Sequence, residues 1–158
     1  MCSEFASNDS LSIALSVIGE EYYIKGFTLE GKGQDVQAKE CMQKAIPIWE
    51  RVVKEYPASS VAAQACCWVG DCYGKLGEYQ NSIEYYQKAV DNYPAHSKGW
   101  HALSRLGRNY EELKLSAAIS ESEANAKIKE AYQTLVERYP NCKAAQVAQR
   151  WLNGHNGN

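Results

Sequence analysis

The sequence lacks any apolar run approaching the roughly 18 to 20 residues of a membrane span. Its opening, Met1-Cys2-Ser3-Glu4, has neither the basic nor the apolar region of a secretory signal, so the chain as written is expected to be soluble and untargeted. A cysteine so close to the start fits a lipoprotein equally well. Positive charge is not in excess either: 17 Lys and Arg face 19 Asp and Glu, a net charge of −2, without the basic stripe of a nucleic-acid binder. No C-x-x-C, H-E-x-x-H or glycine-rich phosphate loop occurs, so the ready-made motifs for zinc, metalloprotease and nucleotide chemistry are missing. Proline is scarce, with four in 158 residues, and three of the four follow a tyrosine.

Those three prolines end the same phrase: Trp49-x-x-Val52-Val53-x-x-Tyr56-Pro57, Tyr86-x-x-Ala89-Val90-x-x-Tyr93-Pro94 and Tyr132-x-x-Leu135-Val136-x-x-Tyr139-Pro140. A second motif keeps step with it: Val69-Gly70-x-x-Tyr73 starts 12 residues after Pro57, and Leu106-Gly107-x-x-Tyr110 starts 12 after Pro94. Ile18-Gly19-x-x-Tyr22 and Leu152-Asn153 supply the outer copies. Self-similarity at this period predicts stacked supersecondary units, none of which buries its apolar face alone. The length of 158 residues admits three full units and a cap. With 45% hydrophobic and 23% charged residues, a packed core is attainable.

Residues 61–94 form the most regular unit. Ala62, Cys66, Val69, Gly70 and Tyr73 share one helical face, and Gly77 suits the left-handed residue past a helix end. Ser82, Ile83, Tyr86, Ala89 and Val90 are the face of a second helix that stops before Pro94, because the residue preceding proline is pushed out of the helical region. The polar residues after each Tyr-Pro, Ala58-Ser59-Ser60, Ala95-His96-Ser97 and Asn141-Cys142, are expected to cap the next helix. Gly19, Gly70 and Gly107 are expected where paired helices cross closely, with tyrosine filling the space beside them.

The other units carry insertions. Tyr22 to Trp49 is 14 residues longer than Tyr73 to Tyr86, enough to extend each helix by about two turns around a break at Gly31-Lys32-Gly33. Pro47 should kink the second helix or make it begin afresh after Ala45. The excess between Tyr110 and Tyr132 is 9 residues, read as a loop at Ser116–Ser122, with Ser120-x-x-Glu123 as a capping box. Ser3–Ser10 and Asn153–Asn158 read as frayed ends, and Trp151 and Leu152 as the apolar face of a closing helix. Of the six cysteines, Cys41, Cys66, Cys67 and Cys72 fall inside helical patterns and read as reduced, buried thiols, with Cys2 and Cys142 the most exposed.

Val69-Gly70-x-x-Tyr73, Gly77-x-Tyr79, Ser82, Tyr86, Ala89 and Pro94 resemble the tetratricopeptide repeat family. The family's tryptophan position holds Cys66, Leu103 and Leu15 here. The resemblance implies an all-α, right-handed superhelical α-solenoid of about seven helices: repeats at about 10–57, 58–94 and 95–140, a capping helix at 141–153, and flexible ends at 1–9 and 154–158. Tyr56-Pro57-Ala58-Ser59 and the 37-residue step from Pro57 to Pro94 look most like bacterial cell-envelope members, the periplasmic Tol-Pal-associated protein and the lipoprotein of the outer-membrane barrel-assembly machine. Periplasm or cell envelope follows from that likeness, and cytoplasm if the chain is complete as written.

The resemblance also implies function: a non-catalytic protein-interaction module, without cofactor, that holds a partner peptide in a concave groove lined by the first helix of each hairpin. Carried over, that groove presents Ser16, Glu20 and Tyr23, then Gln64, Cys67, Asp71 and Lys75, then His101, Ser104, Arg105, Arg108 and Glu112, with Arg150 at the far end. Trp68, Trp100 and Tyr23 are candidate aromatic anchors. The family's carboxylate clamp uses lysine, asparagine, asparagine, lysine and arginine where this chain has Ser16, Glu20, Trp68, His101 and Arg105, so binding of chaperone tails is not expected. Charge is uneven: residues 1–57 hold 6 basic and 9 acidic side chains, and residues 98–158 hold 9 and 6. A partner's acidic or carboxylate end is therefore expected near Arg105, Arg108 and Arg150. Two alternatives stand beside this reading: self-association through a terminal repeat, and a thiol or metal site around Cys67, Asp71 and His101.

Overall fold

The computed structural model describes residues 2–155, with side chains from Asp9 onward. The described residues form seven helices: α1 (Cys2–Glu30), α2 (Asp35–Glu55), α3 (Ala62–Leu76), α4 (Tyr79–Asn92), α5 (Gly99–Leu115), α6 (Glu121–Arg138) and α7 (Lys143–His155). The fold is an all-α helical repeat. The chain divides into two compact units, Met1–Tyr85 and Tyr86–Asn158. In the first, α2 packs on both α1 and α3, which also touch each other. In the second, α5, α6 and α7 pack pairwise.

Tyr-Pro is the stop signal in each repeat. Tyr56 and Tyr139 leave the helical region at φ −130° and −133°, as the residue before proline must. The N–H groups of Tyr56, Tyr93 and Tyr139 still close a last helical turn on Val52, Ala89 and Leu135, at 2.9, 3.3 and 2.9 Å. The restart relies mainly on backbone turns; of the expected side-chain caps Cys142 supplies one, its Sγ accepting from the Ala145 N–H at 3.4 Å. Tyr56, Tyr93 and Tyr139 each accept from the N–H three residues on, at Ser59, His96 and Cys142. The carbonyls of those residues then accept from Ala62, Gly99 and Ala145. Two successive backbone turns thus lead into each helix, and neither Val61 nor Lys98 at the N-cap makes a side-chain cap bond. The remaining donor at Ser60 is met from a distance, its N–H and Oγ donating to the Asp9 carboxylate at 3.0 and 3.1 Å.

Local signals elsewhere hold. Gly77 has φ +81°, and the Glu78 N–H donates back to Tyr73 O at 2.9 Å, a Schellman closure of α3. Gly33 turns between α1 and α2 at φ +72°. Ser120 caps α6, its side chain accepting from the Glu123 N–H at 3.2 Å. The helix α2, at 21 residues against 14 in α4, absorbs two of the added turns. Three expectations are corrected. The proline at 47 does not restart the helix, since α2 runs unbroken through it. Pro47 and Gln43 are both exposed, so the carbonyl deprived of its donor lies on the solvent side. The helix read from Ser10 begins at Cys2, and α7 continues through Asn153 to His155, whose ring stacks on Trp151 at 4.0 Å. The expectation for 156–158 lies outside the described residues.

Two of the three repeated glycines receive rings. At Gly19 an added Cβ would stand 2.6 Å from the Trp49 indole, and at Gly107 it would overlap the Tyr132 ring. Trp49 is fully buried, and its Nε1 donates to Ser16 O at 3.1 Å. The expected close approach of backbones is therefore a seat for the aromatic of the paired helix. Leu152 is buried, and Trp151 meets Tyr132 edge-on at 5.6 Å, which closes the second unit as expected. Gly19→Ala and Gly107→Ala are expected to lower stability by about 1–3 kcal/mol through overpacking. Gly154→Ala, with nothing within 4 Å of the new atom, is expected to be neutral or slightly stabilising in urea unfolding.

Candidate interaction surface

In the first unit, Trp49 sets the positions of the expected groove residues. Tyr23 meets it edge-on at 5.8 Å and Trp68 stacks on it at 4.8 Å, so both anchors are half-buried, one side packed and the other open. Tyr23 also touches Phe27 at 5.8 Å. The Lys75 ammonium stands 4.6 Å from the Phe27 ring centroid and pairs with Glu30 at 2.7 Å. Glu20 and Gln64 are half-buried. Ser16, Cys67 and Asp71 differ from expectation: they are 4%, 1% and 8% exposed. They are packed residues and offer no open surface, because their turns of α1 and α3 face neighbouring helices.

In the second unit, Arg105 Nε donates to His101 Nε2 at 3.2 Å, a contact that requires the neutral ring with its proton on Nδ1. His101 lies between Tyr86 and Trp100, with centroids 6.0 and 5.9 Å away. Ser104 and Arg105 are half-buried, while Trp100, Arg108, Glu112 and Arg150 are exposed. Arg150 Nε makes a long bond, 3.4 Å, to the Gln146 carbonyl one turn back. Nearby, Trp151 Nε1 donates to Glu111 at 3.1 Å and Lys114 pairs with the same carboxylate at 2.7 Å.

Two arrangements were not legible from motifs. Glu50 Oε1 accepts from both Tyr73 OH and Tyr85 OH, at 3.0 and 2.8 Å, with the two rings stacked at 5.8 Å. Burial and then the Glu50 contact hold the Tyr73 phenol up at about 12, and push Tyr85 up for the same causes. The other is a run of exposed apolar side chains on α1. The signal for it is present in the composition of α1, which is apolar on more than one face where an outermost helix of a repeat needs only one.

Residues 63–96 match the tetratricopeptide repeat family. The matched stretch covers α3, α4 and the turn that reaches His96. No curated protein matches the sequence. A tetratricopeptide repeat points to protein partners, and its family is generally non-enzymatic. Among the described residues no three His, Cys, Asp or Glu side chains are grouped to hold a metal ion, and no helix is long and apolar enough to cross a membrane.

Within and around the repeat, Cys41, Cys66, Cys67 and Cys72 are buried thiols outside any disulfide, and Cys142 is a half-buried one; the Cys2 side chain lies outside the described residues. Burial, then the Asp71 charge, pushes the Cys72 thiol well above its ordinary range. Thiol titration of native protein is expected to label Cys142 at least tenfold faster than these four, and denaturant should equalise the rates. Alkaline unfolding supplies a second check. Because the folded-state pKa of Tyr73 lies above the unfolded value, its contribution is present in full below about pH 10 and is lost as pH rises toward 12. Stability is expected to fall over that window, and Tyr73→Phe with Tyr85→Phe should flatten the fall in urea midpoints.

Proposed function

We propose that the chain is a non-catalytic protein-interaction module whose hairpins, at about 10–57, 58–94 and 95–140 with a closing helix at 141–153, engage a partner peptide through their first helices. One observation carries this reading beyond the repeat match. The exposed large apolar side chains among the described residues sit mainly on α1 and α5, with only Val36 on α2 and Val147 on α7. The first helices α1 and α5 thus keep apolar and aromatic side chains in solvent, as a binding surface requires, and α3 adds the half-buried Trp68.

Charge supports an orientation. The acidic excess in residues 1–57 and the basic excess in 98–158 favour a partner whose acidic or carboxylate end meets Arg105, Arg108 and Arg150. Arg108 and Arg150 are exposed and available for such pairing. The likeness of Tyr56-Pro57-Ala58-Ser59 and of the 37-residue step from Pro57 to Pro94 to bacterial cell-envelope members favours a place among such scaffolds.

Affinity capture from lysate, comparing the wild-type chain with Arg105→Glu plus Arg108→Glu, tests the reading. A retained protein is expected to bind the double variant about tenfold more weakly, since rim charges are each worth up to about 1 kcal/mol. Captures that are identical, or empty in both cases, would turn the interpretation toward self-association.

A further inference from the structure

On α1, Ile13, Val17, Ile24 and Phe27 are 41%, 49%, 56% and 50% exposed. At 3.6 residues per turn their spacing places them within an arc of about 80°, so they form one ridge about 21 Å long. The exposed Leu11 and Ile18 lie on another face of the helix and do not belong to it. The Phe27 end of the ridge reaches α3 at Lys75, whose charge Glu30 already neutralises at 2.7 Å.

Glu20 lies in the middle of the ridge. The apolar residues stand seven and three positions before it and four and seven after it, nearly symmetric about the carboxylate. Glu20 is half-buried, and its side chain makes no hydrogen bond or ion pair among the described residues. A charge set between apolar neighbours is partly desolvated once the ridge is covered, so what covers it must supply a counter-charge. A second copy of α1 laid across the ridge, parallel or antiparallel about its centre, would bring two Glu20 side chains face to face. Like charges in that position oppose self-pairing.

We infer that this ridge docks an amphipathic helix of another protein, one whose apolar face carries a lysine or arginine at its centre. The inference rests on the proposal that first helices form the partner surface, and it names the chemistry of the partner at α1. An apolar face at i, i+3, i+4 and i+7 would interleave with Ile13, Val17, Ile24 and Phe27, while the cation pairs with Glu20. Affinity would come from the buried apolar area, and register from the single charge.

The test is a selection of binders from a random library of roughly 18-residue displayed peptides, long enough for the ridge at 1.5 Å per residue. It is run against the full chain and against Glu20→Lys, with melting curves to confirm that both fold. The wild type is expected to enrich peptides with Lys or Arg between helically spaced apolar residues, and Glu20→Lys to enrich Asp or Glu at that place. A selected basic peptide should bind Glu20→Lys about tenfold more weakly and Val17→Ser with Ile24→Ser at least as weakly, by fluorescence anisotropy.

Failure to enrich binders, or binding indifferent to Glu20→Lys, overturns the inference. So does a concentration-dependent dimer that Val17→Ser with Ile24→Ser abolishes in sedimentation. Peptides that bind irrespective of Glu20 but weaken with Arg105→Glu and Arg108→Glu would overturn this inference alone and leave the interaction-module reading standing.

Discussion

An aromatic ring seated on a glycine of the paired helix is the contact on which the rest depends. Trp49 lies against Gly19, and its indole nitrogen donates to the Ser16 carbonyl, so the ring is located by both shape and a directional bond. It is fully buried, with Tyr23 of α1 at its edge and Trp68 of α3 on its face, so one side chain joins three helices. Tyr132 repeats the arrangement against Gly107 in the second unit. Because a packed interior has almost no free volume, these seats set how near the helices come and which neighbouring side chains stay open.

The same packing separates two kinds of charge. Glu50 receives two tyrosine hydroxyls and Lys75 is neutralised by Glu30, so these groups are occupied with the fold itself. Glu20 and Arg108 are placed differently, one set in an apolar ridge of α1 and the other exposed on α5. Side chains that fold without fixing a partner for them are the ones available to choose a partner from outside.

Much of the architecture was legible residue by residue. Tyr-Pro ended helices because backbone sterics act locally, and Gly77, Gly33 and Ser120 did their work within one turn. Helix starts were legible only in part, with Cys142 capping α7, for an equally local reason. Serine and asparagine after Tyr-Pro suggested side-chain caps, but two consecutive backbone turns satisfied most of the same donors, and the donor left over found Asp9, 51 residues away. Pro47 was tolerated because its helix face is exposed, a property that depends on the neighbours and not on the proline.

The partner surface was harder to read than the repeat. The family resemblance placed Cys67 and Asp71 on the first-helix face beside Gln64 and Lys75, yet helix packing buries them and leaves Gln64 half-covered. The sequence by itself determined the periodic elements, their stops and the uneven charge, since these follow from φ/ψ sterics, apolar spacing and simple counts. Only the tertiary structure decided which faces were covered, that glycines seat rings, that Glu50 is shared by two tyrosines and that Glu20 stands unpaired within an apolar ridge. Those outcomes depend on contacts between residues distant in the chain, where helical spacing specifies a direction but not a neighbour.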